Sequence, residues 1–412
     1  MNNEMIEAML QQMLMVEEMQ AMMFTQYETN ATTGDLFSTM MLAECYGAGL
    51  GCSEDLDLAI ELFLKVAPTF PIAYYRLALL YKSLYDLEEA KKSLALGAEL
   101  GNEDCMEYLD RINTKVIAHI NKGCKYYRGN SVEKDYAVAL DNFIDASMAN
   151  DKDGLYWLGY TLQELGEEEL GFTFLLQSAD LGEDTSQNCI GNAYRFGQGV
   201  EQNGDLAFQY YEMSAAQDNV IGIKNYGICF RDGIGTQVNK EKAFEQFLKG
   251  ANLGDAVCQN NAGYAYDCGE GVEENPKLAF QYYEMSAAQD HAPALYAYSY
   301  CYQLGRGTEM NLEKAFEHCL KSANLGNHMA QNNVGYAYQV GEGVEQNDDL
   351  CFQYYEMSAM QGNQVGISNY AMCFRDGIGT QVDHNRAIEL YQQSDYEQAI
   401  EALKLYAEGH FQ

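Results

Sequence analysis

Small, aromatic and polar positions follow one rule through the C-terminal half of the chain. Gly191, Gly227, Gly263, Ser299, Gly335 and Ala371 stand 36 residues apart, each with little or no side chain. Three residues after each stands an aromatic (Tyr194, Phe230, Tyr266, Tyr302, Tyr338, Phe374). Three further on comes a G-x-G, from Gly197/Gly199 to Gly377/Gly379. A fixed period of this length marks stacked supersecondary units, each burying a face against its neighbours.

Residues 292–327 show what one period builds. Pro293 suits a first helical turn, and a helix A then runs through Tyr302. Gly305-Arg306-Gly307 breaks it, because glycine reaches backbone angles that bulky residues avoid. A helix B is predicted from about Leu312 to Ala323, with Gly326 ending it. The product is an αα-hairpin. The Gly263-type position lets helix A approach helix B, and Ala279 and Ala287 do the same from the other side. Rings of the Tyr266 type fill the space beside them, worth about 2–3 kcal/mol for each large apolar side chain buried. Their hydroxyls are expected to reach loop carbonyls.

A longer beat lies over this one. FQYYEMSAAQ at Phe208–Gln217 recurs at Phe280–Gln289, and as FQYYEMSAMQ from Phe352. Between these lie AFEQFLKGANLG (from Ala243) and AFEHCLKSANLG (from Ala315), and the loops read GQGV, GIGT, GEGV, GRGT, GEGV, GIGT. A 72-residue pair of hairpins has been duplicated.

Upstream the repeat is weaker. Ala43, Tyr46, Gly49, Gly51 and Ala59 are in phase. The unit on Ala78 and Tyr81 has lost its G-x-G. Gly123, Tyr126 and Gly129 open a third, with Ser131 as second glycine, and Gly159 a fourth with a shortened loop. The extra length between Gly101 and Gly123 reads as a longer helix. Residues 4–24 form an amphipathic stretch, with Ile6, Met9, Leu10, Met13 and Val16 at helical spacing. It reads as a helix capping the first repeat or as a Met-rich surface for self-association. The expected organisation is this helix and a linker (1–38, the linker from 25), about four degenerate units (39–190), six regular units (191–394), and a C-terminal capping helix (395–412) near Tyr396–Ala407 that ends at Glu408-Gly409.

Composition narrows the partners. Only 4 prolines in 412 residues suit an all-α chain. A formal charge of −36, from 25 Lys+Arg against 61 Asp+Glu, repels nucleic-acid phosphates and anionic membrane surfaces. A charge-steered partner should be basic. No run approaches the ~20 apolar residues of a membrane span. The start, MNNEMIEAMLQQMLMVEEMQ, lacks a basic n-region, so the cytoplasm is the expected compartment.

The string AGYAYDCGEGV (Ala262–Val272), with Ala279, Tyr283, Ala287 and Ala288, resembles the Sel1-like repeat family, a relative of the tetratricopeptide repeat with a longer glycine-rich loop. The resemblance covers roughly residues 43–394, and the units with shortened loops look closer to tetratricopeptide repeats. It implies an all-α, right-handed superhelical solenoid of antiparallel helix pairs acting as a non-enzymatic adaptor or scaffold for other proteins. Some secreted members carry a disulfide in each repeat, and some of those are linked to β-lactam binding or hydrolysis. A cysteine-rich hydrolase is therefore an alternative function, and a homo-oligomeric structural protein another.

Little in the residues points to catalysis. The G-x-G loops lack a Walker lysine and a preceding strand, and recur as turns do. The 6 histidines show no metal-ligand spacing, and no G-x-S-x-G occurs. Cys45, Cys229, Cys301 and Cys373, among 12 cysteines, share a phase with Ala193, Ala265 and Ala337. That exchange marks a tight packing site and predicts reduced thiols. No catalytic residue, metal or cofactor is nominated. What is left is the helix A face turned away from the packing spine. Two residues before the small position it carries Asn225, Asn261, Asn333 and Asn369; one after it, Asn192, Tyr264, Tyr300 and Tyr336; four after it, Arg195, Arg231 and Arg375. Asn amides in a ladder can hold a peptide backbone, and Tyr adds flat contact area, so these residues form the candidate site for a protein or peptide partner. The same Asn residues could instead bond neighbouring helices.

Overall fold

The structure, a computed structural model, describes residues 3–407, with side chains from residue 15. These residues form 23 α-helices and no strand, and the chain divides into two compact units, Met1–Gln202 and Asn203–Gln412. In the first, α1 (Asn3–Thr32) precedes the hairpins α2 (Leu36–Ala48)/α3 (Leu56–Val66) and α4 (Ile72–Ser83)/α5 (Leu87–Glu99). After α6 (Glu103–Thr114) come α7 (Val116–Arg128)/α8 (Tyr136–Met148), α9 (Lys152–Glu164)/α10 (Glu168–Asp180) and α11 (Asp184–Phe196). The second unit opens with α12 (Gly204–Ala216) and continues with α13 (Val220–Asp232)/α14 (Lys240–Asn252) and α15 (Ala256–Cys268)/α16 (Pro276–Ala287). Then follow α17 (Ala292–Leu304)/α18 (Leu312–Asn324), α19 (His328–Val340)/α20 (Asp348–Met360), α21 (Gln364–Asp376)/α22 (His384–Tyr391) and α23 (Glu397–Ala407). Within each unit consecutive helices pack on one another, as in a helix-pair solenoid.

Helix boundaries follow from side-chain chemistry. Every B helix of the second unit is capped by an amide or carboxylate at the same register: Asn203, Asn239, Asn275, Asn311, Asn347 and Asp383. Asn311 Oδ1, for example, accepts the Lys314 amide at 3.0 Å, satisfying a donor that the first turn leaves unpaired. The first glycine of each G-x-G ends helix A in the left-handed region, as Gly305 does at φ +69°. The second lies against the previous hairpin: a Cβ on Gly271 would collide with the carbonyl of Lys240, the first residue of α14. The expected hydroxyl bond from the aromatic to the loop is replaced by a main-chain one. Asn311 N donates to Tyr302 O (2.9 Å) and Asn239 N to Phe230 O (2.8 Å). A main-chain acceptor explains why phenylalanine serves as well as tyrosine.

The spine of each hairpin is a size match. Gly335 faces the ring of Tyr355, 20 residues on: a Cβ there would lie 2.7 Å from Cδ1. Gly123/Phe143, Gly227/Phe247 and Gly263/Tyr283 repeat the relation. At Ser299 the small residue has grown, and its counterpart is the smaller Cys319. A buried serine ties α16, α18 and α20 each to the start of its own helix A: Ser286 Oγ donates to Ala256 O (2.6 Å), Ser322 to Ala292 O (2.7 Å) and Ser358 to His328 O (2.7 Å), while α14 has Gly250 at that place. Cys45, Cys229, Cys301 and Cys373 are buried, as the Cys/Ala exchange predicts.

Two segments differ from expectation. The linker begun at residue 25 is helical: α1 runs on to Thr32, and only three residues separate it from α2, which Asp35 caps. Phe24 packs edge-on against Tyr46 (5.4 Å between centroids) and the main chain at Gln20 lies against Gly51, so α1 covers the first hairpin. Met15, Met19, Met22 and Met23 remain exposed on it. The side chains of Ile6, Met9, Leu10 and Met13, and the Glu408-Gly409 end, lie outside the described residues. The extra length before Gly123 is not a lengthened helix but a separate one, α6, broken from α7 at Lys115.

A buried charge network closes that irregular step. Asp145, 3% exposed, accepts Lys82 Nζ and Tyr108 Oη, both at 2.6 Å. Arg111 lies at 3.4 Å and His119 Nδ1 at 3.7 Å. Burial pulls the Lys82 ammonium down, but Asp145 beside it, with Tyr108 and Asp141, raises it on balance. Burial, then Asp145, pushes the Tyr108 hydroxyl up to about 12.

Candidate interaction site

Two grooves open between successive A helices of the second unit, each about 250 Å³. The first is lined by Arg231 of α13, Lys240, Ala243, Phe244 and Phe247 of α14, Asn260, Asn261, Tyr264 and Ala265 of α15, and Glu270 of the following loop. Adding 72 to these numbers gives most of the second: Gln303 of α17, Leu312, Ala315, Phe316 and Cys319 of α18, Asn333, Tyr336 and Ala337 of α19, and Glu342. Ser299, Tyr300, Leu304 and Val334 complete it. Helix B supplies an apolar floor, and the two A helices supply the rims.

The intervening hairpins differ at the corresponding place. Their B helices carry the FQYYEMSA string, whose second tyrosine occupies the place of Phe247 and Cys319. Tyr355 Oη donates to Gln339 Oε1 (2.8 Å), so its ring spans the space towards helix A. Tyr283 lies with its hydroxyl beside Asp267. Loop charge alternates too. Between the grooves, Arg306 replaces the glutamate and bonds Asp267 Oδ1 (2.8 Å) and Glu274 Oε1 (3.0 Å). The 72-residue beat is thus an alternation in the helix B residue that faces helix A and, from Glu270 to Glu342, in loop charge.

The nominated residues separate on this geometry. Asn261, Tyr264 and Arg231 come together in the first groove, and Asn333, Tyr336 and Tyr300 in the second. Tyr264, Tyr300 and Tyr336 stand 50%, 46% and 48% exposed. Asn225 does not face solvent: it is 8% exposed, turned into the packing between helices. Two amides of the ladder bond neighbouring A helices. Asn369 Nδ2 donates to Asn332 Oδ1 (2.8 Å) and Asn333 Nδ2 to Tyr296 Oη (3.2 Å). Arg231 and Arg375 are bound by the next residue of their own helix, Asp232 at 2.7 Å and Asp376 at 2.6 Å. Asn192 is half-buried and Arg195 stacks on Phe196 (5.0 Å), both in the first unit. The groove residues that motif reading passed over are Lys240, Phe244, Leu312, Phe316, Glu270 and Glu342. Phe244 and Phe316 hold a place that Phe208, Phe280 and Phe352 hold in the other B helices, so repetition alone does not single them out, whereas Lys240/Leu312 is a visible exchange of charge for apolar at 72-residue spacing. Among the described residues no cluster of three or more His, Cys, Asp or Glu could hold a metal. No helix among them is long and apolar enough to cross a membrane.

Stacked αα-hairpins joined by left-handed glycine turns define a helix-pair repeat protein. The chain belongs to the Sel1 repeat family, whose model matches residues 37–67, 118–151, 186–219, 222–255, 256–291, 292–327, 328–363 and 365–394. The unmatched hairpins, α4/α5 and α9/α10, have the shortened loops. Among solved structures the chain is similar to a protective antigen of uropathogenic Escherichia coli displaying an SLR fold. There the TM-score is 0.60 at 24% identity, covering 90% of this chain and 78% of that one. It is also similar to a Sel1 repeat protein from Oxalobacter formigenes, with TM-score 0.55 at 24% identity, covering 59% of this chain and 97% of that one. At such identities the likeness is one of fold. No curated protein matches the sequence.

Proposed function

We propose that this chain is a non-enzymatic scaffold that binds a protein or peptide through the helix A face of its second unit. The observation that carries this reading is the recurrence, 72 residues apart, of one groove with an Asn and a Tyr on its rim and an apolar floor. Half-exposed tyrosines over a concave apolar surface bring contact area at low entropy cost. The solenoid repeats the site without new folding problems. Residues 1–202 then serve as a frame closed by α1, whose exposed methionines offer a second surface for self-association. Buried packing cysteines favour this reading over the cysteine-rich hydrolase.

The test is a random-peptide display selection on the full chain. Enriched peptides are then titrated against a variant carrying Asn261→Ala, Tyr264→Ala, Asn333→Ala and Tyr336→Ala. Loss of binding by a variant with wild-type circular dichroism is expected. Unchanged binding, or no enrichment, would sink the assignment.

A further inference from the structure

The two grooves share a carboxylate but not its counter-ion. In the first, Lys240 Nζ lies 2.8 Å from Glu270 Oε1, beside Tyr264, and Arg231 adds a second cation to the lining. In the second, the residue in the place of Lys240 is Leu312 and the one in the place of Arg231 is Gln303. Glu342 keeps the position of Glu270, but the side chain bonded to it is the neutral amide of Gln303 (Nε2 to Oε1, 2.9 Å). Among the described residues no cation pairs with Glu342. The second groove also has a tyrosine, Tyr300, where the first has Ile228.

We infer that the groove between α17 and α19 takes a lysine or arginine side chain from the partner, completing in trans the cluster that Lys240 completes in cis. The rule is charge complementarity at a desolvated rim: a half-buried carboxylate with no counter-ion selects a cation. The groove suits each part of such a side chain. The aliphatic stem lies along Leu304, Leu312 and Phe316, the head reaches Glu342, and the faces of Tyr300 and Tyr336 supply cation–π attraction. A chain of formal charge −36 also draws basic segments towards it. This deepens the groove-binding reading and rests on it. It predicts one cation-selective groove and one that carries its own lysine.

The test uses the full chain and a short alternating Lys/Ala peptide as probe, titrated calorimetrically at physiological ionic strength. Glu342→Gln should weaken binding about tenfold. Glu345→Gln, the same charge change on an exposed loop residue outside the groove, should leave it within about twofold. Leu312→Lys, which installs the cis lysine, should block the groove and abolish the specific isotherm, and the lysine-acetylated peptide should not bind. Lys240→Leu combined with Arg231→Gln, which gives the first groove the residues of the second, should open it and raise the stoichiometry from one to two. Equal losses for Glu342→Gln and Glu345→Gln would reduce the effect to general charge attraction and overturn the inference. So would no binding of the probe by the wild type, or a stoichiometry unmoved by Lys240→Leu with Arg231→Gln. Display-selected peptides that survive Leu312→Lys and Glu342→Gln but are lost in the rim variant overturn the cation assignment alone. Peptides unaffected in all three overturn the groove as well.

Discussion

The size match between helix A and helix B can be tested by exchanging one natural solution for the other. Gly335/Tyr355 is the common pair and Ser299/Cys319 the exception, one 36-residue period apart. A Cβ on Gly335 would lie 2.7, 2.9 and 3.1 Å from three atoms of the Tyr355 ring, which is 1% exposed and held by its hydroxyl to Gln339. The ring has no room to retreat, so Gly335→Ser should cost the upper end of the overpacking range, about 3 kcal/mol. Serine's better helix propensity returns about 0.5 kcal/mol, leaving roughly 2.5. Tyr355→Cys alone removes most of a buried ring and should cost about 4 kcal/mol. In the double variant the clash no longer exists, and the serine side chain enters the space the ring left. The double should therefore cost about 4 kcal/mol or less rather than the additive 6 to 7, a coupling of at least 2 kcal/mol. Local stability is best read by native-state hydrogen exchange of α19 and α20, since repeat arrays open piecemeal. Additive costs would refute the claim that the phase glycine exists to admit the ring.

Three further outcomes follow from the same geometry. Asp145→Asn should destabilise α4–α8 by about 1–3 kcal/mol, because it leaves the buried Lys82 ammonium with only the exposed Asp141 carboxylate (2.6 Å) opposite its charge, whereas Lys82→Met with Asp145→Leu should recover most of that in hydrogen exchange. Gly271→Ala should cost more than about 3 kcal/mol, combining a positive φ with a collision against Lys240. Gly254→Ala, at φ +94° with nothing within 4 Å, should cost about 1–2 kcal/mol, both variants being read by urea titration. Alkali should weaken the fold from about pH 9 upward. Burial pushes Cys301 and Cys319 up to about 12 and Cys105, with help from Asp104, to about 11, against an ordinary 9.0. Groups held protonated by folding stabilise it below their unfolded value and cease to as pH passes the folded one, so each thiol costs about 1.4 kcal/mol per pH unit in that window. A flat urea midpoint between pH 9 and 11 would contradict this burial.

The sequence was most informative where the chain is periodic. The small position, the aromatic and the G-x-G announced the hairpin because each has a steric duty that few residues can perform. The asparagine caps at 203, 239, 275, 311 and 347 were equally regular in print. Their role became visible only with helix starts in hand. Legibility failed where the period fails. Nothing about α6, or about the pairing of Lys82 with Asp145 at a separation of 63 residues, is written in local spacing. The face assignment was half legible. Angular position on helix A brought Asn261, Tyr264, Asn333 and Tyr336 to the grooves, but it cannot see a neighbouring helix. Asn225 was therefore misplaced, and the bonds of Asn369 and Asn333 to the preceding A helix were left undecided. Groove floors come from helix B, so no helix A argument could have found Phe244 or Phe316.

The alternation gives the duplicated 72-residue pair a physical meaning. A solenoid needs every hairpin to fill its spine, and the FQYYEMSA helices do so with a tyrosine that reaches helix A. The grooved hairpins carry Phe247 and Cys319 at that place, and neither has the tyrosine hydroxyl that bonds helix A in the FQYYEMSA hairpin of Tyr355. Once such a pair is duplicated, the two grooves are free to diverge at rim positions that bear no load in the spine. The exchange of Lys240 for Leu312 and of Arg231 for Gln303 lies at those positions. The floor residues Ala243 and Ala315, and Phe244 and Phe316, are unchanged, while Phe247 gives way to Cys319 opposite the exchange of Gly227 for Ser299. The two grooves thus share an Ala-Phe step and differ in rim charge and in one spine pair, so duplication has kept their frame and altered what each presents.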